Sequence, residues 1–125
     1  MKLDNCHNFE DFRKLAKKKL PSPIFHYIDG GSDDEITLNR NTSSFNDYDL
    51  IPSVLNDVSN IDMSTTVLGE KIDFPLFPAA TAMHRLYHHE GERASAKAVE
   101  KARTIFGLST MSTVSIEEIA KINKG

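Results

Sequence analysis

Residues 74 to 122 switch between two rhythms, and that switching limits the folds open to the chain. "FPLFPAA" (74–80) is a compact apolar run without helical spacing, and "TIFGLST" (104–110) is another. Both read as buried strands. Each is followed by a helical pattern. "EGERASAKAVEKAR" (90–103) sets Ala94, Ala98 and Ala102 on one face, small enough to lie close on a sheet. "IEEIAKIN" (116–123) is opened by Ser115 and Glu118 at capping-box spacing. Strand, helix, strand, helix reads as consecutive βα units and a parallel sheet. A parallel sheet has both faces covered, so two strands cannot complete one. A barrel of such units takes about 250 residues, and the chain has 125. It is expected to be the front part of a larger α/β protein, or to need a partner that completes it.

The first half reads differently. Asn8 is predicted to cap a helix that carries Glu10 and Asp11 in its first turn and Lys17, Lys18 and Lys19 in its last. Phe9, Phe12, Leu15, Ala16 and Leu20 fall on one face of it, and Pro21 stops it. Ser22 caps a second, short helix with Pro23 at its first position. That helix sets Ile24, Tyr27 and Ile28 on one apolar face and ends at Gly30-Gly31 through a left-handed cap. Ser32 and Glu35 have the spacing of a capping box and open a third helix through "DDEITLNRNTSSF". Residues 47 to 64 read as extended loop. "TTVL" and "KIDF" then flank Gly69-Glu70 as a hairpin, with the glycine first as in a type II′ turn.

Charge and cysteine content narrow the function classes. Net charge is −3, with 15 basic and 18 acidic residues interspersed, so no basic patch argues for nucleic acid. Cys6 is the single cysteine, which excludes an internal disulfide and makes a cytoplasmic setting the default. "MKLDNCHNF" has no apolar signal region, and no apolar run approaches the ~20 residues of a membrane span. His84, His88, His89 and Glu90 invite a metal reading, but they fall ahead of a helix without a third placed ligand. The expectation is no metal; Asp29, Asp33 and Asp34 likewise miss the calcium-loop pattern.

"FPLFPAATAMHRL" (74–86) loses its bulk where a core strand would keep it. The small residues Ala79 to Ala82 make room for a close approach to the backbone, or simply finish a tight strand end. Four stretches decide between these. "KKLPSPIFHYIDGGSDDEITLNRN", "NIDMSTTVLGEKIDFPLFPAATAM", "HHEGERASAKA" and "GLSTMSTVSIEEIA" stand in one order with matching gaps. Together they resemble the FMN-dependent 2-hydroxy acid dehydrogenases and oxidases, from about Phe9 to Gly125. "FHYIDGG" and "LST" lean towards the L-lactate dehydrogenase branch of the cytochrome-linked type.

The resemblance implies a (β/α)8 TIM barrel with FMN at the C-terminal ends of its strands. The chain would form the N-terminal part of one such domain, spanning 1–125. Residues 1–50 would be its N-terminal helices, 64–74 the hairpin closing the barrel bottom, and 75–125 the first two βα units. The implied activity is oxidation of an L-2-hydroxy acid, L-lactate first and glycolate as the alternative, to the 2-keto acid. The implied flavin contacts are the backbone of Ala80, Thr81 and Ala82 and the hydroxyl of Ser109. Tyr27 would hold the substrate carboxylate, although its spacing alone reads as a core tyrosine. Met111 stands near where glycolate oxidases carry a tryptophan, and Ala80 replaces a common proline. The family's catalytic histidine and arginines come from later strands, so no catalytic base is assigned here. The electron acceptor stays open; a homo-oligomer of the full-length protein and, separately, a peripheral association with the inner membrane face are each compatible with the family. The competing classes are a split-gene piece that binds a complementary chain, and another flavin barrel such as an isomerase.

Reading the gene beyond the codon for Gly125 separates these. A frame that continues to a "QLY"-like strand and an "HGGRQ"-like motif is the expected outcome. An immediate stop codon would favour the split-gene reading.

Overall fold

The computed structural model describes residues 3–123. Met1, Lys2, Lys124 and Gly125, and with them both ends of the expected 1–125 domain, lie outside the described residues. The chain divides between Asn56 and Asp57 into two compact units.

In the first unit, α1 (Phe9–Lys19) starts as its sequence dictates: the Asn8 side chain accepts from the Asp11 N–H at 2.9 Å. Only Leu15 of its apolar face is buried, while Phe9 and Phe12 are exposed. α2 (Ser22–Asp29) places Pro21 at the cap, so Ser22 is its first helical residue and makes no side-chain cap bond. Phe25 is its buried residue; Tyr27 and Ile28, expected on an apolar face, are exposed. Arg13 of α1 grips Asp29 at the end of α2 through a two-point ion pair, at 2.5 Å and 3.0 Å. Lys17 lies over the Phe25 ring, 5.9 Å from its centroid.

Two helix signals in this unit resolve differently from their patterns. Gly30 is extended, at φ −85° and ψ 154°, so α2 does not end in a left-handed glycine. The left-handed position moves to Glu35, at φ 56°, which caps α3 (Ile36–Ser43). The Glu35 carboxylate still reaches back, but it accepts from the Gly31 N–H at 3.0 Å and not from Ser32. A 3-10 turn, Ser44–Asp47, prolongs α3. Residues 48 to 64 then run without regular structure.

The second unit opens with the hairpin β1 (Thr65–Val67) and β2 (Glu70–Ile72), antiparallel with Thr65 opposite Ile72 and Val67 opposite Glu70. The turn is one residue earlier than the sequence implied. Leu68 and Gly69 are its central pair, and both have positive φ, 55° and 91°. That is the type I′ pattern, with the glycine second, and it corrects the type II′ expectation. Register decides it: pairing Val67 with Glu70 leaves only Leu68 and Gly69 to turn.

After the hairpin come α4 (Glu92–Ala102) and α5 (Ile116–Ile122). The segments expected as buried strands ahead of them, 74–80 and 104–110, form no regular strand, yet they run side by side in parallel. Asp73 N–H donates to Arg103 O at 3.0 Å, the Thr104 hydroxyl to Leu76 O at 2.8 Å, and Met83 N–H to Met111 O at 3.1 Å. Only Thr81 and Leu108, however, form a parallel bridge. Pro75 and Pro78 offer no N–H to a ladder, and Phe74, Leu76 and Phe77 are exposed, not buried. Gly107 sits so close to the first segment that a Cβ would stand 3.1 Å from Pro78 O and 3.2 Å from Ala80 N.

The core of this unit is Ala96, Val114 and Ile119, with Phe106, Leu108 and Ile122 against it. α4 therefore turns Glu92, Ala96 and Val99 inward. Ala98 and Ala102, expected on the packed face, are exposed, and Ala94 is half-buried. α5 starts as predicted, the Ser115 side chain accepting from Glu118 N–H at 3.3 Å. Glu118 does not return the bond but pairs with Arg93 of α4, which locks the two helices together.

Leu68 is 96% exposed and left-handed, so its side chain gains nothing from burial while its backbone is strained. Leu68→Asn is expected to stabilise the protein by about 1 kcal/mol, read as a higher denaturant midpoint with an unchanged slope. A lowered midpoint would contradict the left-handed turn.

Candidate functional site

The two strand-like segments end at the same edge of the second unit. The first ends in Ala79, Ala80 and Thr81, all exposed, and half-buried Ala82. Their small side chains leave the backbone open to approach. Thr81 lies opposite Leu108, which puts Ser109 next to it along the second segment. Ala80, Thr81, Ala82 and Ser109, the four residues expected at a flavin, are thus brought to one edge. Tyr27 belongs to α2 in the first unit, where it is 57% exposed.

Each segment leaves this edge through a tight turn. Met83 is left-handed, at φ 53° and ψ 46°, and begins a 3-10 turn, His84–Leu86. On the other side, the Ser109 hydroxyl accepts from Met111 N–H at 3.1 Å, and Ser109 O accepts from Ser112 N–H at 3.0 Å. An accepting hydroxyl still has its own hydrogen to donate. Met111 is 57% exposed beside this turn.

Behind the edge lies Glu92, the first residue of α4, with 0% exposure. Its Oε1 accepts from His84 N–H at 3.2 Å and Thr113 N–H at 2.9 Å. Its Oε2 accepts from the Thr113 hydroxyl at 2.6 Å. Burial alone would push this carboxyl up. The Thr113 hydroxyl and N–H, its own N–H and that of His84 outweigh burial and hold it down at about 2. Glu92 is therefore a carboxylate, ionised in a dry setting. Its sequence signal is a glutamate at the start of a helix, which reads only as a charge suited to the dipole. The partner that makes it more than that, Thr113, is 21 residues away and carries no signal at all.

The histidines serve separate contacts. His84 Nδ1 is 3.1 Å from Ser95 Oγ, and its ring meets Phe106 edge-on. His88 and His89 lie ring to ring at 4.3 Å, and Glu90 pairs with Lys97 at 2.8 Å. Among the described residues, no group of three or more His, Cys, Asp or Glu side chains is arranged to hold a metal ion. The edge sets the exposed Ala79–Thr81 backbone beside the Ser109 hydroxyl, which keeps a hydrogen to donate. That donor set fits a flat, hydrogen-bonding ring that becomes more negative on reduction, as FMN does.

Comparison with known proteins matches residues 16–125 to the family described as FMN-dependent dehydrogenase. The Arabidopsis thaliana peroxisomal (S)-2-hydroxyacid oxidase GLO4 is 47% identical over 118 residues, which is 94% of this chain and 32% of the relative. Glycolate oxidase from Spinacia oleracea is 42% identical over the same shares. Among solved structures, a soluble mutant of the membrane-associated (S)-mandelate dehydrogenase from Pseudomonas putida aligns with a TM-score of 0.87 and 37% identity, over 97% of this chain and 35% of that one. The chain spans about a third of the length of the curated relatives it matches.

The state of Glu92 makes stability depend on acid. Its carboxyl goes from 4.5 in the ordinary state to about 2 in the fold. The stabilisation is complete above pH 4.5 and is lost as pH falls through 2, with about 3 kcal/mol at stake. Denaturant midpoints between pH 6 and pH 2 should fall in the wild type, and fall less in Glu92→Gln. Parallel slopes in the two proteins would remove Glu92 as the source.

Proposed function

Because the chain belongs to the FMN-dependent dehydrogenase family, we propose that the whole protein oxidises a small (S)-2-hydroxy acid to its 2-keto acid. The family is FMN-dependent, and the chain is a partial piece of the barrel fold of its structural relatives. Within that piece, residues 1–50 are read as N-terminal helices, 64–74 as the hairpin at the barrel bottom and 75–125 as the first two βα units.

The observation that carries the flavin reading is the bridge between Thr81 and Leu108, which aligns Ala80 to Ala82 with Ser109 at one edge. Bound FMN would supply the acceptor for the two electrons leaving the substrate. The backbone amides of Ala80, Thr81 and Ala82 would orient the ring, and the Ser109 hydroxyl would donate to it. Tyr27 would donate its phenol O–H to the substrate carboxylate, an uncharged donor that is cheap to desolvate. Proton removal is left to residues outside this chain.

For the substrate, the names of the relatives favour a glycolate-sized acid. L-lactate is the second reading, because Met111 lies near where the family resemblance puts a tryptophan of the glycolate oxidases and so weighs against glycolate. Among the described residues no helix is long and apolar enough to cross a membrane. A cytoplasmic setting, with peripheral attachment to the inner membrane face as a variant, remains part of the proposal.

The full-length protein should reduce a dye acceptor with glycolate or L-lactate in an FMN-dependent manner. Tyr27→Phe should raise the KM for the acid about tenfold, the order expected for one hydrogen bond to a charged group, without changing FMN content. No turnover with glycolate, L-lactate or mandelate would overturn the reading. An unchanged KM would remove Tyr27 from it.

A further inference from the structure

We propose that Glu92 sets the spacing of the two loops that would cradle the flavin, as a positioning residue that touches neither cofactor nor substrate. The proposal rests on the flavin reading above. His84 follows Ala82 by two residues, and Thr113 follows Ser109 by four. One oxygen, Oε1, takes the N–H of both. Glu92 also begins α4, the helix that connects the two segments. A single side chain therefore ties both exits of the edge to the element between them.

The turns on either side transmit that tie. Thr113 is joined to Ser109 through a compact turn, in which Ser112 N–H donates to Ser109 O at 3.0 Å and Met111 N–H to Ser109 Oγ at 3.1 Å. On the other side, left-handed Met83 separates Ala82 from His84. Its N–H is held by Met111 O at 3.1 Å, and the next N–H along is held by Glu92. A non-glycine residue in that conformation persists only where its surroundings over-determine it. Gly91 makes the arrangement feasible: at φ 56° it lets the chain fold back on Arg85, where a Cβ would collide with Arg85 Cγ. The direct tie from Met83 to Met111 is one neutral bond near an exposed residue. The Glu92 clamp is charged, three-fold and dry, and bonds to an ionised group are the stronger kind.

The experiment uses the full-length protein and measures the FMN dissociation constant by quenching of flavin fluorescence, the circular dichroism of the bound flavin, and the thermal midpoint. Glu92→Gln keeps the shape and removes the charge. Thr113→Val removes one donor and is the variant that decides if Glu92→Gln does not fold. Arg93→Met breaks the α4–α5 ion pair and serves as a structural control. The expected result is an FMN dissociation constant raised about tenfold or more in Glu92→Gln and Thr113→Val, with an altered flavin dichroism, and neither change in Arg93→Met. Wild-type binding and dichroism in both clamp variants, whatever their thermal midpoints, would overturn the proposal. So would an equal loss of FMN in Arg93→Met, which would mark general loosening. A wild-type protein that binds no FMN overturns the flavin reading and the clamp together, whereas unchanged variants of an FMN-binding wild type overturn the clamp alone.

Discussion

A carboxylate cannot be taken out of water unless something replaces the water, and the second unit is arranged around that requirement at Glu92. Three donors from two separate turns meet its two oxygens. Each donor is costly to leave unpaired once it is desolvated. The charge therefore demands the turns, and the turns demand the charge. This mutual need explains why one polar residue is the most buried large side chain described in the unit, next to a small apolar core of Ala96, Val114 and Ile119. A helix start adds to it, because α4 presents its positive end to the same carboxylate.

The same logic accounts for the strands. A ladder needs backbone N–H groups, and Pro75 and Pro78 have none to give. Thr81 and Leu108 therefore form a single bridge where a ladder would be expected. What aligns the segments is a set of individual bonds: Asp73 to Arg103, Thr104 to Leu76 and Met83 to Met111. Gly107 contributes by absence, since a side chain there would press on Pro78 and Ala80. The alignment survives without a sheet because these contacts are spread along the whole length of the pair.

Local signals in the sequence were legible wherever one residue and its near neighbours decide the outcome. Asn8 and Ser115 cap their helices, and the lysine run closes α1. The family resemblance was legible for a related reason: its four stretches keep their order and gaps, and the match over residues 16–125 agrees with it. Signals that depend on a partner element were misread. Ala94, Ala98 and Ala102 share a face by period, but the face that packs is the one carrying Glu92, Ala96 and Val99. Period identifies faces; only the neighbour chooses among them. The hairpin turn failed likewise, because Gly69 fits either turn type until the register of β1 and β2 is known. Tyr27 was ambiguous for the same reason, and its exposure is a fact of packing that no helical period contains.

That distinction bears on how such an edge can be built at all. Ala79 to Ala82 and Ser109 are small and contribute little packing of their own. Backbone conformation at the edge then has to be imposed from behind. An apolar side chain could fill the space behind it, but contacts between apolar groups carry no direction, and a loop resting on them can slide. A carboxylate accepts along defined directions and loses most of its compensation when a donor moves. Placing it on the helix that joins the two segments gives both loops one common reference. The left-handed conformation of Met83 and the fold-back at Gly91 follow as the local backbone distortions needed to bring His84 N–H to that reference. On this view the strain at the loop and the charge in the core are two ends of one construction: the charge supplies the restraint that keeps the strained turn in place, and the strained turn supplies a donor that keeps the charge ionised.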